Sequence, residues 1–295
     1  MSASSPSLGV PDRPLRGILL MLLAVTLFTS HDAIAKYLVA LYPVVVLAWF
    51  RYLSHTLLMA AIFLPRQGLR VLRSERPVLQ FLRALCLLGV SLLFVNGLRY
   101  VPLAEATAVI FLAPLLVTAL SVPLLGERVG RGQWLAVSAG FVGVLIIVRP
   151  GSALFTPAIL WPMSAALCFA FYQLLTRKVS ECDSPTTSNF LAGVINTLLV
   201  SLLLPFFWVT PQGSHLLSML ALGVIGMLAH LLLTHAFRYA APATLAPFSY
   251  GQIVFAALLG WLLFGHFPEP GAVLGMALIV LAGLALVMAG QRKPG

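Results

Sequence analysis

Ten long apolar runs joined by short links leave this chain few places to fold other than a lipid bilayer. The runs fall near 17–38, 43–64, 78–98, 102–125, 134–149, 157–177, 187–209, 216–238, 243–264 and 271–290. A helix needs about 20 apolar residues to cross hydrocarbon. Only 9% of the 295 residues are charged and 60% are hydrophobic, whereas a soluble domain carries about 25% charged residues. The strict alternation of a membrane β-barrel is absent. The expected fold class is all-α integral membrane protein with ten transmembrane helices.

The chain also writes part of itself twice. Arg99-Tyr100 recurs as Arg238-Tyr239, Gly126 as Gly265, Gly132 as Gly271 and Leu135 as Leu274, always 139 residues on. Self-similarity at this spacing in an apolar chain implies two related halves. The expected division is a first repeat over 17–150 (spans 1–5) and a second over 151–290 (spans 6–10). Short tails at 1–16, rich in Ser and Pro and expected to be disordered, and at 291–295 flank them. The first run, after Arg13 and Arg16, is too long for a signal peptide and lacks a small-residue cleavage site.

Charge decides the orientation. With both termini in the cytoplasm, that side holds thirteen basic residues: Arg13, Arg16, Arg66, Arg70, Arg73, Arg76, Arg128, Arg131, Arg177, Lys178, Arg238, Arg292 and Lys293. The outer side holds three, Lys36, Arg99 and Arg149, as the positive-inside rule requires. Five spans per half is odd, so the halves lie upside down relative to each other. The links agree: 65–77 carries four arginines and its counterpart 210–215 none, while 126–133 carries two and 265–270 none. Inverted repeats of this kind build transporters with the substrate path between the halves.

The net charge of +10 is therefore topology control, and no nucleic-acid partner is expected. The four arginines of 65–77 are placed against anionic lipid. Cys86, Cys168 and Cys182 are far apart, without metal spacing, and are expected as free thiols. No cofactor and no metal are implied. A membrane enzyme would want clustered carboxylates or histidines, or a nucleophile beside a base; no DxxD, HxxxH or Ser/His/Asp cluster occurs in the short links. A channel would want rings of like charge, and none is evident. Monomer and dimer both stay open.

Ionisable residues inside spans mark pathways. In His31-Asp32-Ala33-Ile34-Ala35-Lys36, Asp32 lies ~9 Å below the outer end of span 1 and Arg51 ~12 Å into span 2. The shared depth allows Asp32 and Arg51 to bind charged substrate groups, or Asp32 to take a coupling proton. It equally allows a permanent internal salt bridge, and Asp32 can also pair with Lys36 one turn on. Glu105, in the first turn of span 4 after Pro102, suits the positive end of a helix or a second acidic group in the outer vestibule. In span 8, His230 and His235 point ~140° apart, a poor metal pair; His230, the deeper, is the candidate cavity residue. In span 9, Tyr250 and Gln252 follow Pro247, which frees a carbonyl and bends the helix. In span 6, Gln173 is the rough counterpart of Asp32, and Tyr172 can stack on a ring or cation. Helix–helix hydrogen bonding is the alternative role for these neutral groups. Arg83, one turn into span 3, is expected to snorkel to the headgroups. Spans 5 and 10, with Gly140, Gly143, Gly275 and Gly283, read as packing scaffolds. Gly126 reads as a helix terminator before Glu127.

These landmarks, in this order, resemble the drug/metabolite transporter superfamily in its EamA-type branch of two five-helix inverted repeats. The resemblance rests on Asp32 to Lys36, Phe50-Arg51 after Pro43, Arg99-Tyr100 leading to Pro114, and Leu125-Gly126-Glu127. In the second half it rests on Tyr250-Gly251-Gln252 and on Gly271 through Leu281. Where that family ends span 9 in Gly-Glu, this chain has Gly265-His266, with Glu269 three residues on. The resemblance implies a secondary transporter of small metabolites in a bacterial inner membrane, without ATP hydrolysis. The Asp-Ala-x-Ala-Lys stretch is similar to transporters of S-adenosylmethionine and of opine metallophores, and the whole chain to pseudopaline-type exporters. Arg51 suits export of a zwitterionic or anionic amino-acid derivative; Asp32, Glu105 and aromatics suit import of a cationic or aromatic metabolite such as S-adenosylmethionine or riboflavin.

Overall fold

A hydrocarbon environment offers backbone amides no partner, so each span must satisfy its own hydrogen bonds as a helix. The computed structural model describes residues 14–126, 129–148, 156–240 and 242–291, and among them every regular element is helical. Of the disordered tail expected at 1–16, residues 14–16 instead open the first helix; residues 1–13, Glu127, Arg128, Arg149, Arg292 and Lys293 lie outside the described residues. The helices are α1 (Pro14–Val39), α2 (Val44–Gln67), α3 (Pro77–Gly97), α4 (Leu103–Ile110), α5 (Ala113–Leu125), α6 (Arg131–Val148), α7 (Leu160–Val179), α8 (Pro185–Phe207), α9 (Gly213–Tyr239), α10 (Pro242–Ser249), α11 (Gly251–Phe264) and α12 (Pro270–Gln291). They make ten membrane-crossing segments, two of which are broken.

Both breaks have a local cause. Span 4, expected as one helix over 102–125, divides into α4 and α5 at Phe111-Leu112. Pro114 follows directly and has no N–H for the carbonyl one turn back. Span 9 divides into α10 and α11 at Tyr250, just after Pro247. Phe111 and Tyr250 are 139 residues apart, the repeat offset, and their rings pack at 5.1 Å. The symmetry axis relating the halves runs between them. Both broken spans end in a glycine at φ +67°, Gly126 and Gly265, a left-handed helix terminator that a side chain would strain.

Helix pairing shows the same symmetry. The first half's α1 lies along α9, and α3 lies along α7; exchanging the halves turns one contact into the other. The pairs α2–α8 and α6–α12 map onto themselves, α1–α11 onto α5–α7 and α1–α10 onto α4–α7, whereas α4–α11 has no matching α5–α10 pairing of comparable extent. Two five-helix bundles thus face each other in inverted sense. In the α6–α12 pair, Gly143 and Gly275 bring the backbones together: a Cβ at Gly143 would lie 2.8 Å from the Gly275 carbonyl oxygen, and one at Gly275 2.5 Å from that of Gly143. Such close approach is how helices gain packing energy where no hydrophobic drive exists. These two helices are the scaffold expected of spans 5 and 10.

Candidate substrate site

Small residues again determine where helices meet. At Gly223 a side chain would collide with the Arg51 carbonyl, and at Gly193 with Thr56 and His55. Helices α8 and α9 therefore close onto α2 midway along its length. A cavity of about 30 Å³ remains there, bordered by Arg51, Tyr52 and His55 of α2, Tyr172 of α7, Asn189 of α8 and His230 of α9. A second, of about 10 Å³, lies on the other side of Arg51 and is bordered by His31, Ser91 and Leu222. A water needs roughly 10–15 Å³, so these spaces are too small for a metabolite in this conformation.

Arg51 lines both cavities. Its Nη1 donates to Ser91 Oγ at 2.8 Å, Ser91 meets the Tyr52 hydroxyl at 2.6 Å, and the guanidinium stands 5.2 Å from the centre of the Tyr52 ring. No carboxylate lies within ion-pair distance of it among the described residues. The internal Asp32–Arg51 salt bridge, one of the two sequence-based alternatives, does not form. Asp32 instead meets its neighbour, with Oδ1 2.9 Å from His31 Nδ1, and Oδ2 accepts from Gln252 Nε2 at 3.4 Å. His31 and Asp32, neighbours in the chain, face different helices: Asp32 reaches Gln252 of α11, while His31 borders the cavity beside Arg51 of α2. Nor does Lys36 pair with Asp32. Its Nζ donates to the carbonyls of Leu98 and Val101 at 2.5 and 2.9 Å and caps the end of α3.

Arg83 requires a further correction. It does not snorkel to the headgroups; it is 2% exposed. Nε donates to Thr176 Oγ1 at 2.7 Å, Nη1 to the Ser188 carbonyl at 2.9 Å, and Nη2 to the Tyr172 hydroxyl at 2.7 Å and Asn189 Oδ1 at 3.4 Å. This arginine of the first half thereby holds α7 and α8 of the second. Tyr172 is positioned by it and by Phe169, stacked at 5.9 Å. His230 packs edge-on to Phe28 at 4.9 Å.

Five expected site residues border neither cavity: Asp32 and Gln252, paired with each other as above, and three that lie elsewhere. Tyr250 turns its ring to Phe111 and its hydroxyl against Gly283 of α12, so it packs the symmetry axis. Gln173 makes no hydrogen bond among the described residues and borders neither cavity. Glu105 is 1% exposed; one oxygen meets His266 Nε2 at 3.1 Å and the other has no hydrogen-bond partner among the described residues. His266 is the residue that replaces the family's glutamate. The cavity in turn includes Tyr52, His55, Ser91 and Asn189, which sequence reasoning passed over. For His55 a signal existed, one helical turn after Arg51.

Hydrogen bonds between the halves close both ends of the bundle. At the end bearing the N-terminus, Asp183 accepts from Ser74 Oγ, from Gln80 Nε2 at 2.8 Å and from the Glu75 N–H at 3.1 Å. Partial burial pushes the Asp183 carboxyl up, but these donors and the nearby Arg76 charge outweigh it and hold it below the usual carboxylate range. At the opposite end, the Tyr42 hydroxyl meets His215 Nδ1 at 2.9 Å and accepts from the Gln212 N–H at 3.1 Å. Each closure joins the link after a half's first helix to the other half.

The description "EamA-like transporter family" matches the chain twice, at residues 15–149 and 156–289. An S-adenosylmethionine uptake transporter of Rickettsia prowazekii (strain Madrid E) is 28% identical, over 95% of each chain. A riboflavin transporter of Rhizobium johnstonii is 32% identical over 96% of each. The pseudopaline exporter CntI of Pseudomonas aeruginosa is 28% identical over 92% of this chain and 95% of that one. A crystal structure 24% identical in sequence superposes with a TM-score of 0.64, over 94% of this chain and 98% of the other, and shares the fold. With one family model covering both inverted halves, this multi-pass membrane protein belongs to the EamA-like transporters of the drug/metabolite transporter superfamily and is not an enzyme.

Proposed function

We propose that the chain exports a small zwitterionic or anionic amino-acid-derived metabolite, of which an opine-type metallophore is one example, by alternating access across a bacterial inner membrane. Both termini then face the cytoplasm. The observation that supports this is Arg51: a guanidinium bordering two central cavities, with a single hydrogen bond among the described residues, to a neutral serine. A half-buried cation with no carboxylate within ion-pair distance among the described residues gains from a counter-ion, and a substrate carboxylate supplies one. The halves rock about the α6–α12 scaffold, and α3, α4–α5, α9 and α10–α11 open and close the path. The Asp183 and Tyr42 closures release one at a time. Asp32 is the candidate carrier of a coupling proton.

A second reading is import of a cationic or aromatic metabolite, in the manner of the S-adenosylmethionine and riboflavin relatives. Asp32 favours it: the carboxylate borders neither cavity, but its partners among the described residues, His31 and Gln252, leave its negative charge uncompensated. Comparing the metabolites secreted by a deletion strain with those of its parent identifies the substrate. Flux of that substrate into proteoliposomes then saturates, and Arg51→Ala and Asp32→Asn lower it about tenfold or more while the protein still inserts. Normal flux in both variants removes the assignment.

A further inference from the structure

The reading above asks Arg51 to meet a carboxylate and leaves open what else the site recognises. His31 answers that question. It is 5% exposed, yet its Nε2 has no hydrogen-bond partner among the described residues. A buried polar atom without a partner costs stability and is rare in native proteins. His31 borders the same small cavity as Arg51 and Ser91. Its other nitrogen, Nδ1, lies 2.9 Å from a carboxylate oxygen of Asp32. A carboxylate accepts and does not donate, so Nδ1 bears the hydrogen and Nε2 of the neutral ring presents a lone pair. Gln252 steadies Asp32 from α11 through its second oxygen. His31 and Arg51 thus border one cavity, and the Asp32 carboxylate places negative charge behind the His31 ring.

We propose that this pair recognises an α-amino acid head group, with the substrate carboxylate on Arg51 and its ammonium donating to His31 Nε2. Asp32 is a positioning residue: it holds the imidazole tautomer and adds negative charge behind the ammonium. The inference rests on the proposed role of Arg51, and it adds the amino group and the residue that reads it. A metabolite with a carboxylate but no adjacent amine fits the first claim and not the second.

The test uses the full chain in lipid nanodiscs and ligand-induced thermal stabilisation. The probes are S-adenosylmethionine, the same molecule without its carboxylate, the same molecule without its α-amino group, the twenty L-amino acids, and riboflavin. At least one α-amino acid probe is expected to stabilise the protein. Removing either group from S-adenosylmethionine weakens its binding about tenfold or more, the worth of one charge-assisted hydrogen bond. His31→Phe erases the preference for the amino group alone, and His31→Gln, which keeps an acceptor, restores part of it. Arg51→Gln erases the preference for the carboxylate alone. Equal binding of the amine-free analogue overturns the head-group assignment and leaves the Arg51 reading intact. Equal binding of the carboxylate-free analogue overturns both. Stabilisation by riboflavin only, or by no α-amino acid, also overturns the head-group assignment.

Discussion

Arg83 and Asn196 illustrate opposite fates for a buried polar side chain. Four groups of the other half surround Arg83 and use its donors, so a full charge is tolerated far from water. Asn196 of α8 is 0% exposed, and neither amide atom makes a hydrogen bond of normal geometry among the described residues; the nearby Tyr52 hydroxyl offers at most a long, weak contact. The adjacent polar residues on α8 are satisfied across the interface: Thr197 meets Thr56 at 3.1 Å, and Ser201 accepts from Trp49 at 2.8 Å. Replacing an unsatisfied amide by an apolar group of similar size removes its desolvation penalty, so Asn196→Leu is expected to stabilise the protein by about 1–2 kcal/mol. Thermal unfolding in detergent checks this, and a lowered midpoint would show that the amide has a structural partner. Sequence inspection ranked Arg83 as interfacial because its distance from the helix start was legible and its partners, about a hundred residues away, were not.

Among the elements, the broken spans and the glycine seam carry the architecture. Pro247 was visible as a helix disturber in span 9, the break at Pro114 was not read from the sequence, and the meeting of Phe111 with Tyr250 needed the two halves placed together. In the seam, Gly275→Val puts a branched side chain against the Gly143 carbonyl, with the backbone itself in the way. Overpacking of this kind costs about 1–3 kcal/mol, readable as a lower unfolding midpoint; an unchanged midpoint would mean the seam is loose. The link that carries Asp183 has its own signature in pH. Because its carboxyl is held below the ordinary value, the closure's contribution is present above the unfolded carboxylate range, about pH 4, and is lost only as pH falls through the lowered one. Amide exchange in residues 180–184, corrected for intrinsic rate, should stay flat from pH 8 to 5 and quicken in Asp183→Asn. A rise in the wild type already near pH 6 would contradict this.

At the scale of the molecule, the inverted pairing demands that corresponding links lie on opposite faces of the membrane. Arg70, in the link before α3, and Gln212, in the link before α9, occupy corresponding positions in the two halves. Cysteines introduced there should label from opposite sides with an impermeant maleimide, Arg70 from the cytoplasm. Labelling of both from one side would dissolve the two-bundle arrangement and the central path with it.

Hydropathy and the placement of arginines are one-dimensional properties, and a bilayer reads them segment by segment. They were enough to establish the ten spans, the inversion, the packing role of spans 5 and 10, and the candidacy of Arg51. Which way each side chain turns is a different matter. Successive residues on a helix differ by about 100°, so His31 and Asp32, equal in depth, face different helices. Whether a residue meets the cavity, a neighbour or the symmetry axis therefore depended on how ten helices rotate against one another. Glycines such as Gly193, Gly223 and Gly275 set that rotation through contacts between segments distant in the chain. It took Tyr250 out of the site, turned Arg83 inward, and left Arg51 and His31 side by side.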